Sequence, residues 1–111
     1  MENRDIALDY IQCFCSADMQ GLEKLLASDL KFVGPFHTYS SSAQYLADLR
    51  NDPPEHSSYN ILSITESPES VAVFYEYIKP TQTMLIAQLF KFENQKIKEI
   101  MLVFDSNVSA S

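Results

Sequence analysis

Gln88 stands in the stretch TMLIAQLFKF, residues 83–92, whose alternation reads as a long strand. Met84, Ile86, Gln88, Phe90 and Phe92 share one face, and Thr83, Leu85, Ala87, Leu89 and Lys91 share the other. Both faces are mostly apolar, so both are expected to be covered. Gln88 is then a buried amide, which needs hydrogen-bond partners from the protein or from a ligand. One titratable group is a candidate for moving a proton. His37 follows Gly34-Pro35, and histidine is the side chain suited to proton transfer near pH 7; the competing reading is a solvated loop histidine. Asp105 ends the last strand-like stretch, where the residues alone read as a solvent-facing carboxylate that stops a strand. His56, after Pro54-Glu55, reads as plain surface. The two histidines are 19 residues apart and Cys13 and Cys15 lie on another element, so no metal-ligand set is expected. With only Gly21 and Gly34 there is no phosphate-cradling loop, and no nucleophile elbow is present. No cofactor is expected.

Composition narrows the class. A chain of 111 residues makes one domain with a modest core. Six of its aromatic residues are Tyr and none is Trp, which suits either a pocket lined by hydroxyl-bearing rings or a core that uses Tyr as amphipathic filler. The net charge of −7 leaves no basic stripe to neutralise phosphates, so nucleic acid and anionic membrane surfaces are disfavoured as partners. Two cysteines two residues apart on a helix point in different directions and are poorly placed to pair. Free thiols fit a reducing compartment. The N-terminal MENRDIALDY is charged and lacks an apolar run, so no signal peptide or membrane span is expected and a cytoplasmic protein is.

The elements that would carry these residues follow from periodicity. Arg4 to Ser16 predicts a helix with Ala7, Tyr10, Ile11 and Phe14 on one face. Asp18 caps a second helix through Ala27, with Leu22, Leu25 and Leu26 inward. Leu30 to Val33 is a short strand ended by Gly34-Pro35, and Phe36 to Ser40 is a connection. Ser41 and Gln44 have capping-box spacing and start a third helix through Arg50, burying Tyr45, Leu46 and Leu49. Strands follow over Ser57–Ser67, Ser70–Lys79, Thr83–Phe92 and Lys96–Asp105, and the tail SNVSAS reads as frayed. In the first of these, alternation sets Tyr59, Ile61, Ser63 and Thr65 against Asn60, Leu62 and Ile64.

Helices followed by hairpin-linked strands predict an α+β domain, with helices on one face of an antiparallel sheet. Val71, Val73, Tyr75 and Tyr77 fall together, as do Ile100, Leu102 and Phe104. Tyr75 and Tyr77 either line a pocket mouth or fill the core. Glu76 goes with the opposite face. That face would expose Phe74, Ile78, Leu85, Leu89, Met101 and Val103, more contiguous apolar surface than a monomer usually shows. A homodimer through the open sheet face is therefore expected.

The order of these elements resembles the ketosteroid isomerase and SnoaL-like polyketide cyclase group of the nuclear transport factor 2-like superfamily. The best local match is DYIQCFCSADMQGLEKLLASDLKFVGP, and the closing KIKEIMLVFD is similar to the group's last strand. The resemblance covers about Ile6 to Asp105 and implies a cystatin-like cone, a curved antiparallel sheet wrapped by three N-terminal helices around a pocket. Ketosteroid isomerase has a helix Tyr and a strand Asp that together hold an oxyanion, plus an Asp base. Those positions fall on Tyr10, Gln88 and Gly34. A pair of hydrogen-bond donors would persist without the base, and proton abstraction by that mechanism is not expected. Tyr10 and Gln88 either hold a carbonyl or hydroxyl oxygen jointly or satisfy each other in a closed core. His37 is placed to substitute for the base, and Asp105 resembles an acid or base of the cyclase branch. The expected ligand is a small apolar molecule with an oxygen function, bound near Tyr10, Gln88, Tyr75 and Phe104. The expected chemistry, if any, is cofactor-free isomerisation, dehydration or cyclisation. The alternative is a non-catalytic binding or interaction module.

Overall fold

Three helices and six strands make up the computed structural model of the chain, which describes residues 2–104. The helices are α1 (Asn3–Cys15), α2 (Met19–Leu25) and α3 (Ser42–Asn51). The strands are β1 (Leu26–Val33), β2 (Thr38–Tyr39), β3 (Ser58–Ser67), β4 (Ser70–Ile78), β5 (Thr83–Glu93) and β6 (Lys96–Phe104). They form one curved, open sheet in the order β2-β1-β6-β5-β4-β3.

Local signals set most of the boundaries. Helix α1 closes with Ala17 in the left-handed region (φ 56°), its N–H bonding to Phe14 O and that of Asp18 to Cys13 O. This is the double hydrogen bond of a Schellman cap, with Ala where glycine is usual. The Asp18 carboxylate then accepts the Gly21 N–H at 2.9 Å and caps α2. A Cβ on Gly21 would sit 2.5 Å from Asp18 Oδ2 and 2.6 Å from Cys13 Sγ, so the α1–α2 contact requires glycine. Ser41 Oγ accepts the Gln44 N–H at 3.1 Å, while the Gln44 side chain reaches back to the N–H of Ser40 at 3.0 Å. The capping box is present with its return arm moved by one residue. Asn94 and Gln95, at φ 53° and 62°, make the two-residue turn between β5 and β6.

Long-range pairing set the rest. Strands β3 to β6 form an antiparallel meander, and β1 joins β6 in parallel, so the sheet is mixed. Strand β1 begins at Leu26, where it pairs with Ile97, which shortens α2 from the expected Ala27 to Leu25. The alternation expected for β3 fails past Ile61. A bulge between Ile61 and Ser63 adds Leu62, so that Ile64 turns inward and Ser63 and Thr65 turn out.

The helices cover the concave face. Ile6, Ala7, Tyr10 and Ile11 of α1 pack with Leu22, Leu46, Val71, Val73, Phe90, Ile97 and Ile100 in the buried core. On the convex face, Phe74, Leu85, Met101 and Val103 are exposed. No helix among the described residues is long and apolar enough to cross a membrane.

Candidate functional site

The register of β4 with β5 builds the polar centre of the concave face. Val73 pairs with Gln88 and Tyr75 with Ile86, so Tyr75 is the diagonal neighbour of Gln88 on the same side. Diagonal neighbours are within reach of long side chains. The Tyr75 hydroxyl donates to Gln88 Oε1 at 2.7 Å. From the helices, the hydroxyls of Tyr10 and Tyr45 hydrogen bond to each other. All four side chains are buried, and Gln88 is the buried polar residue of a core that is otherwise apolar or tyrosine.

Burial controls the protonation of this cluster. It pushes the Tyr10 phenol well above its usual pKa, with Tyr45 adding to the rise, and the Gln88 amide acts on Tyr10 in the lowering direction. An amide N–H directed at a phenol oxygen has that sign, because it favours the phenolate. Tyr45 and Tyr75 are raised too, in both cases chiefly by burial. These phenols therefore stay neutral around pH 7 and keep their O–H protons. At the rim, Tyr39 donates to Asp48 Oδ2 at 2.7 Å. Burial, reinforced by the Asp48 carboxylate, pushes Tyr39 up to about 12.

Beside the cluster is a cavity of about 200 Å3. Its walls are aromatic: Tyr10 and Phe14 from α1, Phe32 from β1, Tyr39 from β2, Tyr45 from α3, Tyr75 and Tyr77 from β4, and Phe104 from β6. The loop between β1 and β2 forms the mouth. Its Gly34 N–H bonds to the His37 carbonyl at 2.9 Å, which closes the turn. Phe36 stands 69% exposed and meets Phe104 edge-on, with ring centroids 5.7 Å apart. His37 is exposed and stacks on Tyr39 at 6.0 Å. A Cβ on Gly34 would lie 3.0 Å from Phe32 Cε1, so a side chain there would press on the cavity wall.

Of the residues singled out in the sequence, Tyr10, Gln88, Tyr75, Phe104 and His37 all line this cavity. Asp105 lies outside the described residues. Tyr10 and Gln88 do not close off a solid core: each has a tyrosine partner, and both still border open space. Glu76 is on the convex face, accepting from Asn60 Nδ2 at 3.0 Å, and His56 is exposed. Sequence reasoning missed the roles of Tyr45 and Asp48. Tyr45 was legible as an inward residue of α3, but nothing local says that its hydroxyl meets Tyr10. Among the described residues, no group of three or more His, Cys, Asp and Glu is placed to hold a metal ion.

No family model matches the chain, and no curated protein matches it. Solved structures do. A protein of unknown function with the nuclear transport factor 2-like fold, from Cytophaga hutchinsonii, superposes with a TM-score of 0.81 at 21% identity, over 95% of this chain and 91% of that one. An LEH-like epoxide hydrolase from M. tuberculosis superposes at 0.81 with 13% identity, over 96% and 84%. A protein from Catenulispora acidiphila with a ketosteroid isomerase-like fold, in complex with trimethylamine, superposes at 0.80 with 16% identity, over 97% and 91%. Together with the helix order, the curved mixed sheet and the cavity between them, these matches establish that the chain has the cone fold of the nuclear transport factor 2-like superfamily.

Proposed function

We propose that the protein binds a small, largely apolar molecule through an oxygen atom in the cone cavity. The observation that carries this reading is the Gln88 amide, buried beside Tyr10 and Tyr75 on the wall of a 200 Å3 aromatic cavity. The amide N–H groups, and the one phenol proton that the Tyr10–Tyr45 bond leaves over, are donors fixed in advance, which is what an oxygen gaining negative charge requires. His37 at the mouth is the group proposed to move a proton, with Asp105 as the second candidate. Phe104 and Tyr75 contribute wall and contact. The reaction class would be cofactor-free isomerisation, dehydration or cyclisation. That a protein of the same fold holds trimethylamine and another is an LEH-like epoxide hydrolase supports the use of such a cone for small molecules. The free Cys13 and Cys15 support a reducing, cytoplasmic setting.

A thermal-shift screen of small hydrophobic ligands on the wild type and on Gln88→Leu tests the binding. Ligands that raise the melting temperature of the wild type and not of the variant support the reading. A wild type that responds to none sinks it.

A second reading is a homodimeric interaction module whose work is done on the convex face. What favours it is the apolar surface there: Leu62, Phe74, Leu85, Met101 and Val103 are 54, 50, 51, 44 and 56% exposed. Light scattering after size exclusion should give twice the chain mass, and Leu85→Glu should return it to the monomer. A monomeric wild type at high concentration ends this proposal.

A further inference from the structure

Three rings from three elements stand together along one side of the cavity. Phe32 of β1 lies nearly parallel to Tyr45 of α3, with centroids 5.0 Å apart and planes at 20°. Tyr39 of β2 is tilted against both, at 5.7 and 5.4 Å and at 59° and 60°. The pairing of β1 with β2 sets Phe32 directly opposite Tyr39, where cross-strand aromatic side chains hold each other. Two of the rings are also tied through their hydroxyls, Tyr39 to Asp48 at 2.7 Å and Tyr45 to Tyr10. Phe32 is held by packing alone. Gly34 leaves its ring room, since a Cβ there would stand 3.0 Å from Phe32 Cε1. All three rings line the cavity, and the space left beside them is about 200 Å3. A dry apolar cavity of about 150 Å3 takes a benzene ring, and sites for drug-sized molecules are about 300–1,000 Å3. The volume here is that of one ring with a few further atoms. Among the described lining residues there is no Lys, Arg, Asp or Glu, so a buried charge would go unpaired.

We propose that Phe32, packed with Tyr39 and Tyr45, is a specificity-determining residue that limits the cone to neutral ligands of a single ring and rejects fused-ring ones. In a roomy apolar site a second ring adds affinity, because more apolar area leaves water. Here it must either stay outside the mouth or displace a wall whose rings support one another. Phe32 is the point at which the limit can be lifted cleanly. Truncating Tyr39 or Tyr45 would leave Asp48 or Tyr10 without its partner, whereas removing the Phe32 ring orphans no polar group. Deleting one large apolar side chain opens space on the order of one ring. This inference rests on the reading of the cavity as a ligand site and adds the size of molecule that the site takes.

The test uses acetophenone and 2-acetylnaphthalene, which carry the same ketone on one ring and on two, with affinities from titration calorimetry or ligand-observed NMR. The wild type should bind the one-ring ketone at least as tightly as the two-ring one. In Phe32→Ala the two-ring ketone should gain about tenfold or more relative to the one-ring ketone, as its second ring becomes buried. Phe32→Leu removes less volume and should move the ratio the same way by less. Melting temperatures show which variants are folded, and Phe32→Leu carries the comparison if Phe32→Ala is not. A purely structural role for Phe32 would weaken both ketones together and leave their ratio at the wild-type value, which would overturn the proposal. A wild type that prefers 2-acetylnaphthalene would also overturn it, while leaving the ligand-site reading standing. If the wild type binds neither ketone, the ligand-site reading fails and the size limit fails with it.

Discussion

The two faces of the sheet carry opposite exceptions. The concave face is covered by helices, yet it contains a buried amide and the buried tyrosines Tyr10, Tyr45, Tyr75 and Tyr77 around a cavity. The convex face is uncovered, yet it displays Leu62, Phe74, Leu85, Met101 and Val103. Its polar groups are paired at the surface, as in Asn60 with Glu76 at 3.0 Å and Lys91 with Glu99 at 3.9 Å. A sheet selected for stability alone would have this the other way round, because burying polar groups and exposing apolar ones both cost free energy. The concave exception is satisfied internally: Tyr75 holds Gln88, and Tyr45 bonds Tyr10. The convex exception has no internal solution. Polarity inside is met by partners within the fold, whereas the apolar side chains outside stay exposed.

The sharpest way to break this contrast is to delete a ring from each face. Phe90 is fully buried and meets Tyr10 edge-on at 5.2 Å, so Phe90→Ala should cost about 3–5 kcal/mol in chemical denaturation. Phe74 is half exposed, and the matching Phe74→Ala belongs at the other end of the scale, below. If the two cost the same, the convex face is as covered as the concave one.

A smaller effect separates hydroxyls from rings. Tyr45→Phe leaves the stacking on Phe32 (5.0 Å) in place and removes the partner of the Tyr10 hydroxyl. A loss of about 1–3 kcal/mol is expected, the range for a buried polar group left unpaired. No measurable loss would mean that the hydroxyl pair is met by water from the cavity.

Alkaline pH reads the same cluster without mutation. Tyr10, Tyr39, Tyr45, Tyr75 and Tyr77 are all raised above the usual phenol value, each chiefly by burial, and Tyr39 reaches about 12. A raised folded pKa means that the folded state holds these protons after the unfolded chain has lost them. Stability from this source is complete below pH 10 and declines as pH rises from 10 toward 12 and beyond. Phenolate absorbance should therefore lag behind that of the denatured protein, and the midpoint of urea unfolding should fall over the same range. Phenols that titrate together near 10 in the folded protein would contradict the closed cluster.

The smallest effect expected is that of Phe74→Ala in the isolated chain, below about 1 kcal/mol, because its ring stays largely in water. Measured as a function of protein concentration, the same substitution also reports on assembly. A cost that grows with concentration means that Phe74 is covered in a complex.

Much of the scaffold was legible residue by residue. Helix α1, the Asp18 and Ser41 caps and the faces of β4, β5 and β6 all follow from neighbours a few positions apart. The misses share a cause. The bulge at Leu62 is the insertion of one residue against a partner strand, and the early start of β1 comes from pairing with Ile97. Neither partner is local, so periodicity within the segment cannot register it.

The candidate site divides along the same line. The sequence by itself determined that Gln88 would be an amide buried on an apolar face and that Tyr10 would point inward from α1. Those statements need only side-chain chemistry and the period of a helix or a strand. Only the tertiary structure decided who satisfies Gln88. The register of β4 on β5 sets Tyr75 diagonal to it, and the placement of α3 brings Tyr45 to Tyr10. Hydrogen bonds between side chains depend on distances of a few ångströms across elements far apart in the chain. Those distances are fixed by packing, which no single segment of the sequence contains.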